Sequence, residues 1–250
     1  MKYSNLVLIF GLVFLAATQW SCETELFGGC TSGDGTIETR VVDLDEIDAF
    51  GLSMAATLTI KEGSEGQRIE IRSYPNVIDK LIEDSRVRNG KWNIGINGCV
   101  RGIGRDELEI FATVASLREV TISGSGDVFT DGVFENVEDL ELKISGSGDM
   151  QLALGQNVRK ITSKTSGSGD YKLSGAAEIL DVTISGSGEM KAFDLEALKC
   201  DISVSGSGDC EVAVVDELDV RISGSGDVCY RGNPSVNTNI NGSGNVNDCN

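Results

Sequence analysis

The chain has 250 residues, 40% of them hydrophobic, with 31 glycines, 2 prolines, no histidine and a formal net charge of −18. That length and hydrophobic share exclude a chain disordered over most of its length and permit a sizeable core. The absence of histidine excludes Ser-His-Asp and Cys-His catalysis and His-ligated zinc, and a field of this sign repels phosphate backbones, which argues against nucleic acid as a partner.

Residues 1–21 read as a lipoprotein signal peptide. Met1 and Lys2 give a short basic start, and Leu6 to Ala17 is an apolar run too short for a comfortable membrane span. Gln19-Trp20-Ser21-Cys22 follows, similar to the bacterial signal in which the chain is cut before a cysteine that becomes lipidated. Ser21 fits that pattern, whereas Gln19 and Trp20 depart from it. The alternative is an ordinary secretory signal followed by a structural cysteine. Both take the chain out of the cytoplasm. On the first reading Cys22 carries the lipid, the membrane is a partner through that anchor, and the protein sits in the bacterial cell envelope, tied to the outer membrane on its periplasmic or surface side. Residues 22–36, rich in Gly, Thr, Ser and acid, read as a flexible tether.

From residue 37 onward the pattern is β. Thr57 to Ile60, Arg68 to Arg72, Lys91 to Ile96 and Glu107 to Phe111 alternate polar and apolar residues, with a turn at Gly63 to Gly66. Asn76 to Asp84 predicts one short helix or an irregular crossover. The segment 37–114 is expected to form irregular coils that cap a larger solenoid, with a separate small β domain as the alternative.

Residues 115–250 are dominated by a repeat. The pentad SGSGD begins at Ser123, Ser145, Ser166, Ser205 and Ser223, with SGSGE at Ser185 and NGSGN at Asn241. The intervals are 22, 21, 19, 20, 18 and 18 residues, the spacing of a solenoid with one coil per repeat. Before each pentad, apolar residues alternate with polar ones, as in Leu140, Leu142 and Ile144 around Glu141 and Lys143. After it the apolar register resumes at Val128, Met150, Tyr171, Met190, Cys210, Val228 and Val246. Each coil is therefore strand, corner, second strand and a return of variable length. The fold class is all-β, a parallel β-helix in which residues 37–250 form one domain.

Two reasons predict glycine at the corners. A sharp turn often needs positive φ, and corners stacked about 4.8 Å apart leave no room for bulk. The repeat also aligns an acid ladder: Asp127, Asp149, Asp170, Glu189, Asp209 and Asp227, ending at Asn245. Stacked carboxylates repel unless they accept N–H groups, splay into solvent or share cations. Capping of corner N–H groups is the preferred reading. Calcium is the less favoured one, since the calcium-binding β-roll motif G-G-x-G-x-D occurs twice per coil and has a leading Gly pair lacking here. No other metal and no cofactor is expected.

Six cysteines follow Cys22. Cys200 and Cys210 fall on inward positions, where a thiol behaves as a small hydrophobe. Cys229–Cys249 is expected as a staple at one end of the stack, and Cys30–Cys99 as a clamp at the other.

An opening such as Arg40-Val41-Val42 with Phe50, then short β pairs, then a repeated LExVxISGSGDV phrase, resembles the bacterial head-GIN domain family, described as auto-transporter adhesin heads, over residues 37–250. The resemblance implies a parallel β-helix in the cell envelope, often behind a lipoprotein signal, and supplies no catalytic residues. The function expected is a non-enzymatic envelope lipoprotein, an adhesin or a binding or scaffold module whose partners are envelope or host glycans or proteins. Uniform coils present similar groups at each level, whereas catalysis needs unlike groups converging at one point. The alternative is a β-helix polysaccharide lyase or glycoside hydrolase, using a carboxylate pair such as Asp149 and Asp170. Its basic candidates, Arg159 and Lys160 or Arg101 and Arg105, are expected in loops. Aromatic residues are scattered, and no aromatic strip for sugar stacking is evident.

Overall fold

The computed structural model describes residues 30–250. The signal segment, Cys22 and the first part of the tether lie outside the described residues. Residues 30–34, at the end of the expected tether, are held against the body. Cys30 is disulfide-bonded to Cys99, Asn76 Nδ2 donates to the Ser32 carbonyl at 2.7 Å, and the Asp34 N–H donates to Asn76 Oδ1 at 3.1 Å.

The N-terminal third contains β1 (Glu38–Val42), β2 (Ala49–Leu52), β3 (Thr57–Glu62), β4 (Arg68–Ser73), α1 (Pro75–Asp84), β5 (Arg86–Arg88), β6 (Lys91–Ile94) and β7 (Glu109–Val114). The repeat region continues with β8 (Glu119–Ile122), β9 (Asp127–Thr130), β10 (Asp139–Ile144), β11 (Met150–Ala153), β12 (Val158–Thr165), β13 (Tyr171–Ile184), β14 (Met190–Val204), β15 (Cys210–Ile222), β16 (Val228–Arg231), β17 (Ser235–Ile240) and β18 (Val246–Asp248). The coils stack in parallel as a β-solenoid with two long walls. One wall runs β6, β2, β8, β10, β12 and then the later halves of β13, β14 and β15, ending at β17. The other runs β7, β3, β9, β11 and then the earlier halves of β13, β14 and β15, ending at β16 and β18.

Parallel pairing keeps equivalent positions in register: Ile122, Ile144, Thr165, Ile184, Val204 and Ile222 follow one another and all are buried. A strand buried on one side needs this alternation, because a one-residue slip would turn the whole apolar row into water. The third repeat is the most polar inside. Ser163 and Thr165 are buried there, and Tyr171 fills the space with its hydroxyl donating to the Lys164 carbonyl at 2.9 Å.

The N-terminal region departs from sequential stacking. β2 and β3 form a regular coil, with Phe50 beside Val120 and Leu58 beside Val128, so Ser53 to Thr57 is a corner without the glycine pentad. This coil lies between the coil of β6 and β7 and that of β8 and β9. The excursion through β4, α1 and β5 carries the chain past its first coil before it winds again. β4 pairs antiparallel with β7 and β1 pairs antiparallel with β4, while β5 and β6 form a hairpin over Asn89-Gly90, both at positive φ. Val77, Ile78 and Leu81 of α1 are buried. Antiparallel strands and a helix thus cover the end that parallel coils would leave open.

The corner glycines correct one expectation. None of them has positive φ, and the close approach of stacked backbones is the operative constraint. A Cβ on Gly186 would fall inside contact distance of the Gly167 carbonyl oxygen, and the same holds from Gly146 to Gly242. The Ser187 N–H donates to that same Gly167 oxygen at 3.0 Å, and the Ser207 N–H to the Gly186 oxygen at 3.0 Å. The serines contribute their backbone, and their side chains face solvent.

Candidate functional site

Three surfaces of the stack carry candidate chemistry. At the corner edge, each acid meets the next. The N–H of Asp149 donates to Asp127 Oδ1 at 3.0 Å, Asp170 N–H to Asp149 at 2.9 Å, and Glu189 N–H to Asp170 at 2.7 Å. Asp227 N–H donates to Asp209 at 2.7 Å, and Asn245 N–H to Asp227 at 2.7 Å. Asn245 Nδ2 adds a second donor to Asp227 at 3.1 Å. Glu189 differs: its carboxylate meets Lys191 Nζ at 2.7 Å. A carboxylate that accepts a backbone N–H is a capping group, and stacked N–H groups offset part of the repulsion between neighbouring acids. No group of three or more His, Cys, Asp or Glu among the described residues is placed to hold a metal ion.

The outer face of the first wall is a lattice of ion pairs. Lys91 of β6 reaches across β2 to Glu119 of β8 at 2.7 Å, passing over Gly51, where a Cβ would stand 3.1 Å from Lys91 Cε. Lys143 meets Glu141 at 2.8 Å and Lys164 approaches the same carboxylate at 3.5 Å. Lys160 meets Asp181 at 2.6 Å, Lys199 meets Glu217 at 2.8 Å, and Arg221 binds both oxygens of Asp201 at 3.0 Å. Burial pushes the Glu119 carboxyl up, but Lys91, Thr121 and Lys143 together outweigh it and hold the group below its usual range. Glu141 is lowered chiefly by its bond to Lys143.

Of the basic residues considered for lyase chemistry, Arg159 and Lys160 do not lie in a loop. Both lie in strand β12, just before the alternation that buries Ile161, Ser163 and Thr165, and both are paired, Arg159 with Asp139 and Lys160 with Asp181. Arg101 is exposed in the loop after Cys99, and Arg105 opens a short 3₁₀ turn, Arg105–Glu107. A groove of about 390 Å³ crosses the wall between Arg118, Glu141, Lys160 and Lys164, and its charged lining is engaged in the same pairs.

The second wall presents a feature missed in the sequence. Phe111 of β7 and Phe129 of β9 both pair with Thr59 of β3, which places them in one outward row, two strand spacings or about 10 Å apart. Phe111 is exposed and Phe129 half-buried. The signal was present in part: alternation turns Phe111 outward between Ile110 and Ala112. That Thr59 lies between the two rings follows from the stacking order, which the sequence order does not reveal.

The remaining cysteines fall as follows. Cys229 is bonded to Cys249, with Cα atoms 5.8 Å apart, and ties β16 to the end of the last coil. Cys200 and Cys210 are buried free thiols, both pushed up by burial.

Residues 32–234 match the family described as "Putative auto-transporter adhesin, head GIN domain". Among solved structures, a "putative adhesin" from Bacteroides fragilis aligns with a TM-score of 0.79 at 21% identity, covering 86% of this chain and 98% of that one. A "putative lipid binding protein" from Parabacteroides distasonis aligns with a TM-score of 0.71 at 22% identity, covering 88% and 100%. A "putative adhesin" from Parabacteroides merdae gives 0.67 at 21% identity, covering 86% and 97%. At these identities the likeness is one of fold. No curated protein matches the chain.

Proposed function

The chain belongs to the head GIN domain family, and from that premise we propose that it is a non-enzymatic lipoprotein of the bacterial cell envelope, whose rigid solenoid adheres to glycan or protein surfaces. On this reading Cys22 carries the lipid, and the stack is held off the membrane by the segment that follows it. The observation that supports it most is the acid ladder. Asp127, Asp149, Asp170, Asp209 and Asp227 each accept a backbone N–H from the next coil. The carboxylate pair considered for hydrolysis, Asp149 and Asp170, thus has a structural role that recurs along the stack, and the basic groups of the wall pair with acids. What stays open is the row of Phe111, Thr59 and Phe129, a flat surface with aromatic faces on which a neutral sugar or an apolar protein side chain can rest.

The test has two arms. Purified protein is passed over immobilised neutral and acidic glycans and over envelope proteins, and the same glycans are assayed for new chain ends. Retention weakened by Phe111→Ala and Phe129→Ala, with no new ends, is expected. Turnover abolished by one point substitution would reverse the reading.

A further inference from the structure

The two ends of the stack are built differently. The N-terminal end is covered by β1, β4, β5 and α1. At the other end β17 pairs only with β15, and β18 only with β16. Every residue of β17 is exposed. Val236 and Ile240 are 38% and 41% exposed, although Leu218 and Ile222, their partners one coil earlier, are 0% and 1%. Bare strand edges and apolar core positions together make a surface ready to accept another strand.

The same coil changes chemistry. Asp219 is followed in register by Asn237 and Arg221 by Asn239, while Asn245 takes the place of the ladder acid. From Ser235 to Asn250 the sole charged side chain is Asp248, in a chain whose net charge is −18. A two-fold axis sets groups near it against their own copies. Aspartate against aspartate repels, whereas asparagine against asparagine is self-complementary, because an amide both donates and accepts.

We propose that this end is the interface of a symmetric dimer, with β17 pairing antiparallel with β17 of a second copy and the walls running on from one stack into the other. A two-fold contact uses the same surface on both copies, so it closes at two and does not grow into a fibre. The Cys229–Cys249 disulfide holds the last coil in the shape the contact needs.

The experiment is sedimentation equilibrium of the full chain in detergent over a wide concentration range, with hydrogen exchange of the β17 amides read on the same samples. The expected result is the dimer mass, protected β17 amides, and loss of that protection on dilution. Asn239→Lys and Val236→Asp should each halve the mass, while Thr183→Lys, on the same outward row but within the stack, should not. A monomer at every concentration would overturn the proposal. So would a dimer that both β17 variants leave intact, or assemblies that keep growing with concentration.

Discussion

The backbone N–H of Glu189 donates to the Asp170 carboxylate at 2.7 Å, yet the Glu189 carboxylate itself turns to Lys191. Between Asp127 and Asn245, among the described residues, the rung from Glu189 to Asp209 is the one without the ladder bond. The extra methylene of glutamate carries the oxygens past the N–H that an aspartate would meet. Glu189→Asp is therefore expected to complete the ladder and raise stability by about 1 kcal/mol, the usual worth of one such bond. Urea denaturation at neutral pH checks this. An unchanged or lower midpoint would mean that the Lys191 pair is worth as much as the rung.

Gly186 and Gly66 separate two reasons for glycine. At Gly186 φ is not positive, and a Cβ would meet the Gly167 carbonyl oxygen, which is backbone and cannot swing away. Gly186→Ala should cost about 3 kcal/mol or more, since neighbouring coils must separate to admit it. At Gly66 φ is +111°, with nothing within 4 Å of a Cβ, so Gly66→Ala meets only backbone strain and should cost about 1–2 kcal/mol. Equal losses in thermal melting would show that packing is not what selects the corner glycines.

The repeat region was legible because its constraints are local and repeated. The alternation around Leu140, Leu142 and Ile144 fixes which face is inside, and the pentad fixes the corner, so register follows from periodicity. The first coil was not legible in this way. Ser53 to Thr57 turns the same corner without glycines, because the close approach is made by glycines of the next coil, Gly124 against Met54 and Gly126 against Met54 and Ala56. Nor could the sequence show that β2 lies between β6 and β8, since that order is set by antiparallel strands and a helix that break the period. Ser163 and Thr165 are polar members of the buried rows, and Tyr171, from the following segment, completes that layer.

Acid should weaken the first wall. Glu119 and Glu141 are held below the usual carboxylate range in the folded chain by Lys91, Lys143 and Thr121. A depressed folded value means that the stabilisation is fully present above the unfolded value, about pH 4.3, and is lost as pH falls through the folded value. Lys91→Met removes the closest partner of Glu119 and leaves burial to push that carboxyl up. The variant should be less stable than the parent at pH 7, and the gap should close in acid, as pH falls through the depressed folded value of the parent, below which the carboxyl is protonated in both. Urea midpoints at the two pH values test the sign, and a gap that stays constant would show that Lys91 acts through packing alone.

Cys200 and Cys210 sit in the core at 3% and 0% exposure, and burial raises both thiols. Thiolate is the reactive form, so two effects combine: the sulfur is out of reach, and little of it is ionised at neutral pH. A disulfide reagent added to the native, unreduced protein should find neither of them, and both should react once denaturant separates the coils. Their modification rate in intermediate denaturant then reports the opening of β14 from β15, because Cys200 and Cys210 lie on those neighbouring strands. Fast reaction without denaturant would place the thiols at a surface and contradict the packing of the whole apolar row.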